Sequence, residues 1–145
     1  MVIIRTAPDF FDYFAATLPL LDSDDTLMAV SAWNDNGQTA FDNKAIYRSD
    51  FFPGLGWLMG RTVWQELSGK WPKAYWDDWL RDPAQRQGRQ FLRPEICRTY
   101  HFGKKGTSNN QFGSHLENIK LSNEAVPFRE MDLSFLQPKE FHKNF

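Results

Sequence analysis

A buried strand sets the terms for this chain. Residues 26–33, Thr-Leu-Met-Ala-Val-Ser-Ala-Trp, form a short apolar run between the polar turn Leu21-Asp22-Ser23-Asp24-Asp25 and the Asn-, Asp- and Gly-rich stretch 34–44. A run of that length with those bounds reads as a strand covered on both faces. Such a strand needs partners along its edges and apolar elements above and below. Residues 45–52 read as a second strand, ended by Pro53-Gly54-Leu55-Gly56, and 90–94 and 98–102 as two further short strands. Residues 7–21 read as a helix: Pro8 suits the first turn, Asp9 favours the positive N-terminal end, and Phe10, Phe14 and Leu18 recur at helical spacing. The spacing of Trp57, Val63, Trp64 and Leu67 predicts an amphipathic helix over 57–67 with Gly69 as its stop. A shorter helix is expected over Trp76–Arg81, broken near Pro83. The start Met1-Val2-Ile3-Ile4 is strand-like, with no earlier element to pair with. Strands alternating with helices predict an α/β fold with a sheet covered by helices.

Composition narrows the class of partner. The chain has 145 residues, enough for one ordinary domain or a piece of a larger one. Seventeen Lys and Arg face 18 Asp and Glu, a balance that argues against nucleic acid or an anionic membrane surface as a generic partner. One cysteine, Cys97, excludes an intrachain disulfide and a cysteine-based zinc site. No stretch approaches the roughly 18 apolar residues of a transmembrane segment, and no signal-peptide h-region is present. Thirteen Phe, six Trp and four Tyr supply a core and a stacking surface besides.

Several constellations could carry chemistry. In Trp76-Asp77-Asp78-Trp79 the two carboxylates point about 100° apart on a helix, so one can act as a base while the other pairs or faces water. The plain alternative is two surface acids on a helix whose tryptophans are core. In Pro53-Gly54-Leu55-Gly56-Trp57 the glycines let the backbone approach a ligand, with amides of a following helix available to an anion; the alternative is an ordinary strand-to-helix turn. Gly103-Lys104-Lys105-Gly106-Thr107-Ser108 has the residues of a phosphate clamp without Walker spacing, or of a solvated loop. Asp35 either binds sugar hydroxyls or fixes its turn. His101, His115 and His142 lack metal-ligand spacing and read as ordinary.

Taken together, these segments resemble the alpha-1,3-mannosyl-glycoprotein 2-beta-N-acetylglucosaminyltransferase (N-acetylglucosaminyltransferase I) family. The matching strings are APDFFDYF, VSAWNDNG, YRSDFFPGLGW, KWPKAYWDDWLRDPAQRQGR, RPEICRTYHFGKKGTS and MDLSFL, in family order. The resemblance implies a Golgi membrane enzyme with a GT-A fold, using Mn2+ to move N-acetylglucosamine from UDP-N-acetylglucosamine to the alpha-1,3-mannose arm of a high-mannose N-glycan, with inversion to a beta-1,2 link. It implies Asp77 as the base, Trp76 and the backbone at Leu55 as lining the donor sugar, and Ser108 on a loop that closes over the UDP phosphates.

Two departures shape the remaining expectations. The family's Glu-Asp-Asp metal motif, aligned on Ala7-Pro8-Asp9, falls on Met1, Val2 and Ile3, which cannot ligate Mn2+. The chain is also one residue shorter than the family pattern near 111–116. The expected architecture is therefore a partial GT-A catalytic domain over 7–136, its acceptor-side half without the upstream nucleotide-binding strands, followed by a truncated tail over 137–145. An exposed sheet edge is expected near 26–33, and the chain alone is expected to be inactive. The competing reading is a non-catalytic remnant that binds a glycan or a partner.

Overall fold

A computed structural model of the chain describes residues 4–101 and 118–140. The strand anticipated in 26–33 is there: β2, Leu27–Ser31, with all five residues buried. With β3 (Ile46–Ser49), β4 (Trp57–Met59) and β5 (Gln90–Pro94) it forms a four-stranded sheet in the order β3-β5-β2-β4. β2 runs parallel to β5 and antiparallel to β4, and β3 is antiparallel to β5. The expected exposed edge at 26–33 is thus corrected: β2 is paired on both sides, and β3 and β4 are the edges. The cause is a second correction. Trp57, Leu58 and Met59, expected to open a helix, pair instead with Ser31, Val30 and Ala29. The helix α2 begins only at Arg61 and runs to Ser68, because Gly60 holds extended backbone (φ −64°, ψ 149°) between strand and helix.

The sheet has an apolar layer on each face. Phe91 and Leu92, successive on β5, point to opposite layers, as a pleat requires. On β2 the alternation slips: Leu27 and Val30 join one layer, Met28 and Ala29 the other. The register explains this. Leu27 faces Gln90 and Ala29 faces Phe91, so Met28 is an extra residue, a bulge that turns two neighbours to the same side.

The first layer is closed by helix α1, Phe10–Ser23, together with Val126, Phe128, Leu133 and Leu136 from the last part of the chain. The buried stripe of α1 is Tyr13, Thr17 and Leu21 rather than the expected Phe10, Phe14 and Leu18; Leu18 is exposed and Phe14 only partly buried. Tyr13 fixes that rotation by donating its hydroxyl to the Ser31 carbonyl at 2.8 Å. Burial raises its phenol above the ordinary value, so it remains a donor. The second layer, under α2 and the short helix α3 (Trp76–Arg81), gathers Phe52, Val63, Leu67, Leu80 and the partly buried Trp57, Trp71, Trp76 and Trp79. Pro83 breaks α3 as expected and opens another turn, α4 (Pro83–Arg86), N-capped by Asp82, whose side chain accepts from the Ala84 amide at 2.8 Å.

Two buried ion pairs join distant segments. Asp9, expected to face the helix end, is 89 residues from Arg98 yet meets it at 3.2 Å and also accepts from the Val126 amide. Beside this pair the initial strand β1 (Ile4–Thr6) does find a partner, pairing antiparallel with β6 (Thr99–His101). Arg48 of β3 meets Asp24 at 2.8 Å and donates to the Leu136 carbonyl, Thr26 and Gln90. Burial works against the Asp24 carboxylate, but hydrogen bonds from Thr26 and Arg48 outweigh it and hold the carboxyl below its ordinary 3.8. A depressed carboxyl contributes its full stability above the unfolded value and loses it as pH falls through the folded one. Asp24→Asn should therefore cost about 3 kcal/mol at neutral pH by leaving Arg48 without its counter-ion. Urea denaturation well above and well below pH 3.8 should show a smaller acid-induced loss in the variant than in the wild type.

Candidate active site

The turn Pro53-Gly54-Leu55-Gly56 lies against the end of β2 and is pinned there by three hydrogen bonds. Ser31 Oγ donates to the Pro53 carbonyl at 2.5 Å, the Ala32 amide to the Gly56 carbonyl at 2.7 Å, and Thr99 Oγ1 to the Leu55 carbonyl at 3.1 Å. Gly56 has φ +69°, and a Cβ on it would stand 2.7 Å from Cγ2 of the buried Thr99. Only glycine satisfies both the conformation and the space. The turn leads into β4, so the expected helix amides for an anion are absent at this place. Leu55 packs its side chain on Trp33, Cys97 and Ile119, leaving the backbone of the turn toward α3.

Across the turn stands α3. Tyr75 precedes it in left-handed backbone (φ 53°, ψ 41°), a conformation costly for a residue with a Cβ. Trp76 then enters an aromatic wall, 5.6 Å from Trp57, 6.0 Å from Phe52 and 6.4 Å from Trp71, with Trp71 nearly parallel to it. A Cβ on Gly54 would lie 3.4 Å from Trp76 Cη2 and 3.5 Å from Asp77 Cβ. Gly54 is therefore the point at which the turn faces both residues, across a space that a methyl group would fill. The structure brings the Pro53-Gly54-Leu55-Gly56 turn, Trp76 and Asp77 into one neighbourhood.

The two acids of α3 differ as their spacing requires. The Asp77 side chain, beside the turn, is 41% exposed, and that of Asp78 is 71% exposed. Arg81 serves both: Nη1 is 2.8 Å from Asp78 Oδ1 and 3.6 Å from Asp77 Oδ2. The first is a hydrogen-bonded pair and the second too long for one. Among the described residues no donor lies within hydrogen-bond distance of the Asp77 carboxylate. A half-exposed carboxylate on the helix that carries Trp76 can accept a proton from a hydroxyl group brought beside it. Arg81 was not singled out by sequence, although its i+4 and i+3 offsets from the two acids signal it.

Other expectations resolve differently. Ser108, Lys104, Lys105, His115 and His142 lie outside the described residues. Asp35 Oδ1 accepts from the Trp33 indole at 3.2 Å, a role in fixing its turn. Cys97 is buried, its Sγ accepting from the Asn34 amide, and burial pushes its thiol up to about 12. Among the described residues no group of three His, Cys, Asp or Glu side chains could hold a metal ion, and no helix is long and apolar enough to cross a membrane.

Comparison with known proteins gives two results. Residues 3–145 match the GNT-I family. A curated Arabidopsis thaliana protein, alpha-1,3-mannosyl-glycoprotein 2-beta-N-acetylglucosaminyltransferase, is 58% identical over 145 residues, covering 98% of this chain and 33% of the relative. The chain thus spans about a third of that relative's length.

The pinned turn yields a direct test. Gly56→Ala should destabilise the protein by at least about 2 kcal/mol, from left-handed backbone and contact with Thr99 combined. Gly54→Ala, whose new methyl makes only ordinary contacts, should cost much less. Thermal denaturation of the two variants side by side measures the difference.

Proposed function

Because the chain belongs to the GNT-I family, we propose that the protein is an inverting N-acetylglucosaminyltransferase, moving the sugar from UDP-N-acetylglucosamine to the 2-hydroxyl of an alpha-1,3-linked mannose on an N-glycan. The observation that supports this best is the Asp77 carboxylate, half-exposed on the helix that faces Gly54 and carries Trp76, without a direct donor among the described residues. In the proposed reaction the mannose oxygen forms the new bond to the anomeric carbon as the bond to the UDP oxygen breaks. The hydroxyl proton passes to Asp77, and UDP leaves with the electron pair. Attack from the face opposite the leaving group inverts the centre. Trp76 offers an apolar face to a sugar ring and limits water at the carboxylate. The Leu55 backbone bounds the donor sugar, and Ser108 is assigned by the same reading to the diphosphate.

The α/β sheet and its helices are, on this proposal, the acceptor-side part of a GT-A domain, and the protein works at the Golgi membrane. The Mn2+ that goes with the family does not fit the residues seen here. Met1, Val2 and Ile3 carry no carboxylate, and the described residues offer no ligand cluster. The steps above therefore involve only side chains of this chain.

Asp77→Asn in the full-length protein should lower turnover by about 10²–10⁴, the usual worth of a general base. A radiolabelled transfer assay from UDP-N-acetylglucosamine to a five-mannose N-glycan measures it. Turnover within a few-fold of the wild type would refute Asp77 as the base.

A further inference from the structure

Arg81 holds more of this site together than its place on a partly exposed helix suggests. Its Nε and Nη2 donate to one acceptor, the Phe52 carbonyl, at 3.1 and 2.9 Å. That carbonyl belongs to the residue just before Pro53-Gly54, so the fork ties the end of α3 to the entrance of the turn. Its third nitrogen, Nη1, reaches Asp78 at 2.8 Å. The guanidinium plane also lies over the Phe51 ring, 4.1 Å from its centre. Every nitrogen is assigned, and none is hydrogen-bonded to Asp77.

Asp77 is nonetheless 3.6 Å from Nη1, close enough to feel the charge. Its Cβ lies in van der Waals range of the position a Gly54 Cβ would take. A cation is thus held at a fixed distance from this carboxylate, on a helix that faces the turn across the Gly54 position. Were Asp78 absent, Nη1 would lose its hydrogen-bonded acceptor, and the nearest remaining carboxylate on the helix is that of Asp77. A carboxylate locked to arginine by direct hydrogen bonds is a poorer proton acceptor.

We propose that Arg81 is a positioning residue for the Asp77 carboxylate, its guanidinium fixing α3 to the Pro53-Gly54 turn while Asp78 keeps it from closing on Asp77. This rests on the proposed transfer reaction for its functional consequence, though the clamp itself is a property of the fold. Lysine keeps the charge but lacks the planar fork, so it cannot serve the Phe52 carbonyl with two donors while also reaching Asp78. Arg81→Lys therefore separates geometry from charge. Asp78→Ala, at an exposed position, removes the acceptor of Nη1 without disturbing the core, whereas asparagine would keep one.

The experiment uses the full-length protein with UDP-N-acetylglucosamine and a five-mannose glycan, and compares kcat, donor KM and melting curves for the wild type, Arg81→Lys and Asp78→Ala. The Arg81 Nε–H resonance is followed by NMR in the wild type. Misplacement of a catalytic group by a fraction of an ångström to an ångström costs up to about 100-fold, so Arg81→Lys should lose about 10-fold to 100-fold in kcat with donor KM within about twofold. Asp78→Ala should lower kcat about 3-fold to 10-fold with an unchanged melting curve. Wild-type kcat per folded molecule in either variant would overturn the proposal. If Arg81→Lys does not fold, Asp78→Ala decides. A wild-type protein without transfer activity would refute the proposed reaction. The clamp is then judged on the resonance: slow exchange of the Arg81 Nε–H supports it, and rapid exchange overturns it.

Discussion

The end of β2 is the joint on which the other elements depend. At Ser31 and Ala32 hydrogen bonds converge from three distant parts of the chain. Tyr13 of α1 donates to the Ser31 carbonyl, and Ser31 Oγ donates to Pro53. The Ala32 amide donates to Gly56, while its carbonyl accepts from the Arg98 amide at 2.7 Å and from Thr99 Oγ1 at 3.4 Å. Both residues are fully buried, so each bond is made away from water, where an unmade one is costly. Helix α1, the glycine turn and the segment entering β6 are thereby referred to the same two residues. Moving any of them would leave a buried polar group without a partner.

From this joint the site is built outward by contact rather than by further polar networks. The turn, once pinned, presents Gly54 to α3, with Trp76 and Asp77 facing it at the distance a methyl group would fill. The aromatic wall behind them is part of the second core layer, so the orientation of Trp76 is set by the packing that stabilises the sheet. Polar ties reappear at the rim, where Arg81 joins α3 to the Phe52 carbonyl. The proposed site residues thus sit on short elements tied to the sheet and to each other. That arrangement suits a group whose position must hold within a fraction of an ångström.

What could be read in the sequence was what local chemistry decides. The glycines of Pro53-Gly54-Leu55-Gly56 mark a turn because few other residues take φ +69° without strain. The paired acids of α3 announce an asymmetric site because neighbouring helical positions diverge. The strand in 26–33 declared itself by its apolar run. What depends on distant parts of the chain stayed hidden. Trp57-Leu58-Met59 is apolar throughout, so it shows no period, and its strand state is decided by pairing with β2. The buried face of α1 follows from the Tyr13 bond to Ser31, across 18 positions, which the spacing of Phe10, Phe14 and Leu18 cannot reveal. The Asp9–Arg98 pair spans 89 positions and has no local signature at all.

On the proposed reaction the acceptor glycan meets the donor sugar where the Gly54 turn faces Trp76 and Asp77, on the far side of the turn from the Trp33 cluster. An NMR titration of the labelled protein with a five-mannose N-glycan tests it most directly. Trp33 provides an internal control, because its indole is buried and bonded to Asp35. Saturable shifts of the Gly54 amide and the Trp76 indole, with the Trp33 indole unmoved, are the predicted result. Saturable shifts confined to the surroundings of Trp33, or a glycan that leaves Gly54 and Trp76 unchanged, would contradict it.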